Sequence, residues 1–228
     1  MAHVLVRAIR AALAARADPA KAPQMQRYMK STMPYYGVSA PVQRQIWREV
    51  FSAHPIESCD GLRSAAQTLW RDASFREERY AAIGLTDQRR YASCQTFDAV
   101  PLYEEFIVTG AWWDYVDAVS THHLGDVLRN ELRRMKPLMR RWAHAADSMW
   151  KRRAAILCQI RFKTDTDLDL LYACIEPNLA HTDFFIRKAI GWALRQYAWT
   201  DPREVKRFVA ANRARLSGLS VREAMKNL

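Results

Sequence analysis

Four short segments constrain the fold of this chain most, because they recur at an almost constant step. "RYAAIG" at 79–84, "VDAVST" at 116–121, "RRAAIL" at 152–157 and "RKAIGW" at 187–192 each set an alanine after a polar or aromatic residue and before an apolar one. Aligning Ala81, Ala118, Ala154 and Ala189 gives steps of 37, 36 and 35 residues. Periods of about 33 to 47 residues mark stacked helical pairs, in which each unit buries its apolar face only against its neighbours. Alanine-rich helices are common, so the step rather than the alanine carries the inference. In that register the preceding residues, Tyr80, Asp117, Arg153 and Lys188, line one surface. The fold expected is all-α: one domain over 1–228, a superhelical solenoid of helical repeats with a concave basic groove.

The rest of the chain agrees with helices. Glycine occurs only 7 times in 228 residues, and few segments show the strict alternation or β-branched enrichment of strands. Prolines at 19, 23, 34, 41, 55, 101, 137, 177 and 202 read as helix punctuation. In "SAPVQRQIWREVF" Ser39 is a candidate N-cap with Pro41 in the first turn, and in "TDPREVKRFV" Thr200 or Asp201 caps ahead of Pro202. The basic, alanine-rich start resembles a transit peptide, but Leu5, Ile9 and Leu13 also make a short helix stopped by Asp18-Pro19, expected to be peripheral over 1–22.

Half the residues are hydrophobic, which allows a substantial core, and 35 Lys and Arg against 24 Asp and Glu leave a net charge of +11. An excess of that size points to an anionic partner, nucleic acid first and an anionic membrane surface second. A membrane span needs about 20 apolar residues in a row, and none is visible. Cys59, Cys94, Cys158 and Cys174 have no CxxC spacing, sit in apolar patterns and read as reduced core thiols of a cytoplasmic protein. His122 and His123 are adjacent, so on a helix they point about 100° apart and make a poor metal pair. Neither metal nor cofactor is expected.

The stretch "GAWWDYVDAVSTHHLG", 110–125, sets two tryptophans beside Asp114 and Asp117 at the start of a helix whose apolar positions follow a helical period. The bland reading takes Asp114 as a first-turn carboxylate and the tryptophans as core. Basic residues bunch in "RNELRRMKPLMRRW" and "WKRRAAILCQIRFK", where charge and reach suffice for phosphate contacts. Some of them are simply solvated faces.

At "WWDYVD", "WKRRAAILCQIRFK" and "FFIRKAIGWALRQYA" the chain resembles the DNA alkylation repair family of HEAT-like DNA glycosylases, with further matches at "YMKSTMPYYGVSAPVQRQIW" and "LSVREAMKNL". The likeness runs from about Met25 to Leu228. It implies removal of alkylated purines from duplex DNA by a monomer. Residue by residue, it implies that Asp117 is the catalytic carboxylate and that Trp113 and Trp192 are aromatics contacting the deoxyribose at the lesion. It implies that Arg153 grips the backbone near the lesion and that Tyr28 is an N-terminal aromatic at the DNA surface. Arg161 stands where the family has a lysine, which keeps the charge and changes the geometry. Lys188, Arg195 and Arg152 complete the DNA-binding set, although Arg152, like Trp112, Asp114 and Trp150, also suits a supporting role.

The chemistry fits these residue types. An N3- or N7-alkylpurine carries positive charge and leaves as a neutral base, so a fixed anion beside the sugar suffices to stabilise the oxocarbenium and orient a water. Two rivals are a repeat protein that binds DNA without catalysis and a scaffold for an acidic protein. The presence of Asp117, Trp113 and Trp192 weighs against the first.

Overall fold

The computed structural model describes the backbone of residues 2–228 and the side chains from residue 4 onward. Over the described residues it has fourteen α-helices and no strand. The chain divides into two compact units, Met1–Cys94 and Gln95–Leu228, a finer division than the one domain expected.

The first unit holds α1 (Ala2–Ala15), α2 (Ala22–Met29), α3 (Ala40–Ala53), α4 (Cys59–Arg71) and α5 (Arg76–Thr86). Leu5, Ile9 and Leu13, one turn apart, are all buried, and α1 packs on α3 and α4. The N-terminal helix is therefore part of this unit's core and not a peripheral appendage. Glu77 on α5 is wholly buried and accepts the backbone N–H groups of Tyr36, Gly37 and Val38 at 3.0, 2.9 and 3.1 Å. Gly37 has φ +85, and a Cβ there would lie 2.1 Å from the Asp18 carbonyl oxygen, so only glycine fits.

The cysteine expectation fails for one pair. Cys59 and Cys94 form a disulfide with Cα atoms 5.3 Å apart, whereas Cys158 and Cys174 are free and buried. The bonded pair is 35 residues apart in sequence. That separation is one alanine-repeat step, but no CxxC-type local spacing marks the pair.

The second unit holds α6 (Val100–Gly110) and then α7 (Trp113–Ala118), which runs through a π turn over Val119–Leu124 into α8 (Gly125–Asn130). It continues with α9 (Leu132–Ala143), α10 (Met149–Leu157), α11 (Leu168–Ile175), α12 (Phe184–Ala198), α13 (Pro202–Ala211) and α14 (Gly218–Ala224). Helix α10 packs on α7, α9 and α12, and α12 packs on α14. The repeated alanines serve these contacts: Ala154 on α10 and Ala189 on α12 are fully buried, while Ala118 at the end of α7 is half-buried. None of the described helices is long and apolar enough to cross a membrane.

Helix ends follow local chemistry only in part. Asp201 accepts the Glu204 N–H at 3.0 Å and Pro202 opens α13, while Ser39 precedes α3 in an extended conformation without a side-chain cap bond. Pro137 does not punctuate: it lies inside α9. Arg133, whose carbonyl loses its partner to Pro137, is exposed like the proline itself, so water can replace the missing bond.

Helix α6 ends on Ala111, in the left-handed region at φ 42 and ψ 40. An L-residue there costs about 1–2 kcal/mol, of which the greater unfolded-state freedom of glycine takes back about half. Ala111→Gly should therefore stabilise the protein by about 1 kcal/mol. A rise of a few degrees in the melting midpoint is the expected readout; a fall would mean that the Ala111 methyl makes a packing contact worth more than the strain.

Candidate active site and nucleic-acid interface

Trp112 is extended, at φ −147 and ψ 147, and its carbonyl accepts the Val116 N–H at 3.1 Å, which starts α7 at Trp113. Asp117 lies one turn after Trp113, so the two share a face. The π turn follows immediately. Such turns shift the register of the side chains that succeed them and recur at functional sites.

Asp117 and Arg153 meet in a two-pronged ion pair. Arg153 Nε donates to Asp117 Oδ1 and Nη2 to Oδ2, each at 2.7 Å, and Nη1 donates to the Phe185 carbonyl. The Arg153 side chain is 5% exposed and that of Asp117 is 16% exposed. Arg153 was expected on the DNA backbone; instead it lies beneath the surface with all three nitrogens engaged, because α10 presents it directly to α7. Burial pushes the Asp117 carboxyl above the usual carboxylate range, and the charge and hydrogen bonds of Arg153 oppose that shift. Asp114 adds a smaller upward push.

An aromatic cluster backs this pair. Phe185, whose carbonyl holds Arg153, meets Trp112 edge-on at 5.5 Å between ring centroids and Trp150 at 5.2 Å. Sequence reasoning placed Trp112 and Trp150 as supports and missed Phe185. Its signal was its position three residues before Lys188, on the helix that follows Arg153 in the repeat.

The other expected residues fall into distinct settings. Trp113 and Trp192 are both part-exposed. Trp192 lines an open cleft of about 480 Å³ together with His122, Arg161, Lys163 and Gln196, and Arg161 is exposed at it. Lys188 and Arg195, on α12, share the two oxygens of Glu223 on α14, at 2.6 and 2.7 Å. Glu223 lies in the C-terminal block, was not singled out from sequence, and is held below its usual range chiefly by the Lys188 hydrogen bond. Arg152 donates to the Ala145 and His144 carbonyls at 2.6 and 3.2 Å and to Asn178 Oδ1 at 3.1 Å, so it closes the end of α9. Tyr28, on α2 of the first unit, is 76% exposed.

Taken together, the second unit offers a recessed, charge-paired carboxylate, part-exposed indoles and an open cationic cleft. No curated protein matches the chain significantly. A solved structure from Enterococcus faecalis, described as a predicted DNA alkylation repair enzyme, superposes with a TM-score of 0.83 at 29% identity, covering 93% of this chain and 97% of that one. The sequence model of the DNA alkylation repair enzyme family matches residues 9–228, and the chain belongs to that family.

Proposed function

We propose that the protein is a monofunctional DNA glycosylase that hydrolyses the N-glycosidic bond of positively charged N3- or N7-alkylpurines in duplex DNA. The observation that carries this reading is Asp117: a carboxylate fixed by two hydrogen bonds, with 16% of its side chain open, on the helix face of Trp113. The C1′–N bond breaks with its electron pair leaving on the purine, whose positive charge is thereby cancelled. The sugar is left as an oxocarbenium, which Asp117 stabilises through space while water adds at C1′ and loses a proton to the carboxylate or to solvent. Arg153 uses one lone-pair site on each oxygen and so leaves others for that water. The indoles of Trp113 and Trp192 suit a developing cation and the apolar face of a deoxyribose. Arg161 and Lys163 supply phosphate contacts, and Tyr28 adds an exposed aromatic on the first unit.

Because the lesion's own charge activates the leaving group, no acid beside the base is required. Matched duplexes carrying N7-methylguanine, N3-methyladenine, uracil or hypoxanthine test this directly. The two alkylpurines should be released and the two neutral bases left in place. Efficient uracil release would overturn the charge-driven mechanism, and failure to release either alkylpurine would overturn the glycosylase reading.

A further inference from the structure

Trp199 is 72% exposed, the most exposed tryptophan among the large hydrophobic residues at the surface, and the candidate site does not use it. It follows Trp192 by seven residues. At 3.6 residues per turn that is nearly two full turns, so the two indoles project from the same side of α12, about 10 Å apart along its axis. Trp199 still has helical backbone angles, φ −67 and ψ −21, and the Tyr197 carbonyl closes the helix by accepting the N–H groups of Thr200 and Asp201 at 2.8 and 3.0 Å. Its backbone is therefore held at the C-cap of α12 and continues the helical direction.

The stripe it ends runs Lys188, Trp192, Arg195, Gln196, Trp199. All five are exposed or part-exposed, whereas Ile186, Ala189, Ile190, Ala193 and Leu194 turn inward. Trp192 and Gln196 form one wall of the 480 Å³ cleft in which Arg161 and Lys163 stand, and Trp199 is one turn beyond Gln196. None of the described residues lining that cleft is acidic. A lone exposed tryptophan needs no explanation, but one in line with Trp192, which shares its cleft with Arg161 and Lys163, in a chain of net charge +11, has the setting of a polyanion contact.

We infer that Trp199 is a further DNA-positioning residue, an indole that packs on the sugar–phosphate backbone about two nucleotides from the one at Trp192, since each backbone step winds around the duplex as well as rising about 3.4 Å and so covers roughly 7 Å. The inference rests on the DNA reading above and adds a length requirement on the duplex. Trp199 touches no reacting atom; it fixes the register of the strand that Trp192 and Asp117 act on.

Duplex length separates this role from a general surface effect. Fluorescence anisotropy is read for wild type, Trp199→Ala and Trp199→Phe on duplexes that carry a tetrahydrofuran abasic analogue to set the register. One duplex extends ten base pairs on both sides, and two others stop one base pair past the analogue on one side or the other. On the long duplex Trp199→Ala should bind about tenfold more weakly, within the range for losing one aromatic contact to a nucleotide, and Trp199→Phe should lie between. On one of the two shortened duplexes wild type should lose the same factor and the variants should match it. The salt slope should stay unchanged, since no charge is removed. Equal binding of wild type and Trp199→Ala to the long duplex overturns the inference, as does a loss that persists on both short duplexes. Wild type that binds no duplex at all, or releases no alkylpurine, overturns the functional reading instead.

Discussion

Asp117→Asn should lower the single-turnover release of N7-methylguanine by about a hundredfold, the loss of roughly 3 kcal/mol expected when a preorganised charge is removed from a developing cation. The ion pair adds a second effect. Asparagine keeps one acceptor for Arg153 but turns an N–H₂ toward the other donor, so a guanidinium that is 5% exposed loses its counter-charge. Breaking such a pair from one side costs about 3–5 kcal/mol when it is fully buried and less here, where the carboxylate retains some solvent. The variant should therefore melt earlier as well as react slowly. The double variant Asp117→Asn/Arg153→Gln removes both charges and keeps a hydrogen bond between amides. It should recover much of the lost stability and none of the activity, which separates the fold from the chemistry. The acid limb of the wild-type rate gives a further check. Burial raises the Asp117 carboxyl, so its anion is lost as pH falls through that raised value, earlier than for an ordinary aspartate. Wild-type release should decline on that side and Asp117→Asn should show no such decline. A full rate in folded Asp117→Asn would remove Asp117 from the mechanism.

The relation between Asp117 and Arg153 is nearly readable in the sequence. The recurring alanines put both residues at the same position of consecutive repeats, 36 residues apart and of opposite charge. Side chains at one position of stacked helices are neighbours, so opposite signs there favour a pair over two separate groups facing a ligand. The family likeness points the other way, since it implies that Arg153 faces outward to DNA. The helices themselves were legible because apolar periodicity, capping Asp201 and first-turn prolines are local signals. Pro137 misled because its cost depends on whether the Arg133 carbonyl meets water, a property of burial. The Cys59–Cys94 bond and the Glu223 strap across Lys188 and Arg195 are less legible for a different reason. Both Cys59–Cys94 and Lys188–Glu223 are 35 residues apart, one repeat step, but Cys59 and Cys94 lie outside the alanine register and Glu223 extends that register one step past its last alanine; the strap leaves two of the expected DNA-facing cations sharing one carboxylate.

Arg153→Ala should behave as the loss of an internal support and not as the loss of a phosphate contact. An arginine on the DNA backbone would, when removed, weaken binding to damaged and undamaged duplex alike and lower the salt slope by about one. The Arg153 guanidinium is instead occupied by Asp117 and the Phe185 carbonyl, so the slope should barely change. Stability should fall by less than the roughly 3–5 kcal/mol of a fully buried pair, because the carboxylate left without its partner is recessed but keeps some solvent. The rate should fall too, for a reason that pH exposes. Burial raises the Asp117 carboxyl and Arg153 is what opposes that shift. Without the guanidinium the acid limb of base release should move to higher pH, with activity returning as alkali restores the anion. Asp117→Asn has no carboxyl to ionise and should not recover. Arg153→Lys keeps a charge but offers no planar fork, and should fall between alanine and wild type in both stability and acid limb. A lower salt slope for Arg153→Ala, with unchanged melting and an unmoved acid limb, would mean that the guanidinium leaves Asp117 and swings onto a phosphate when DNA binds.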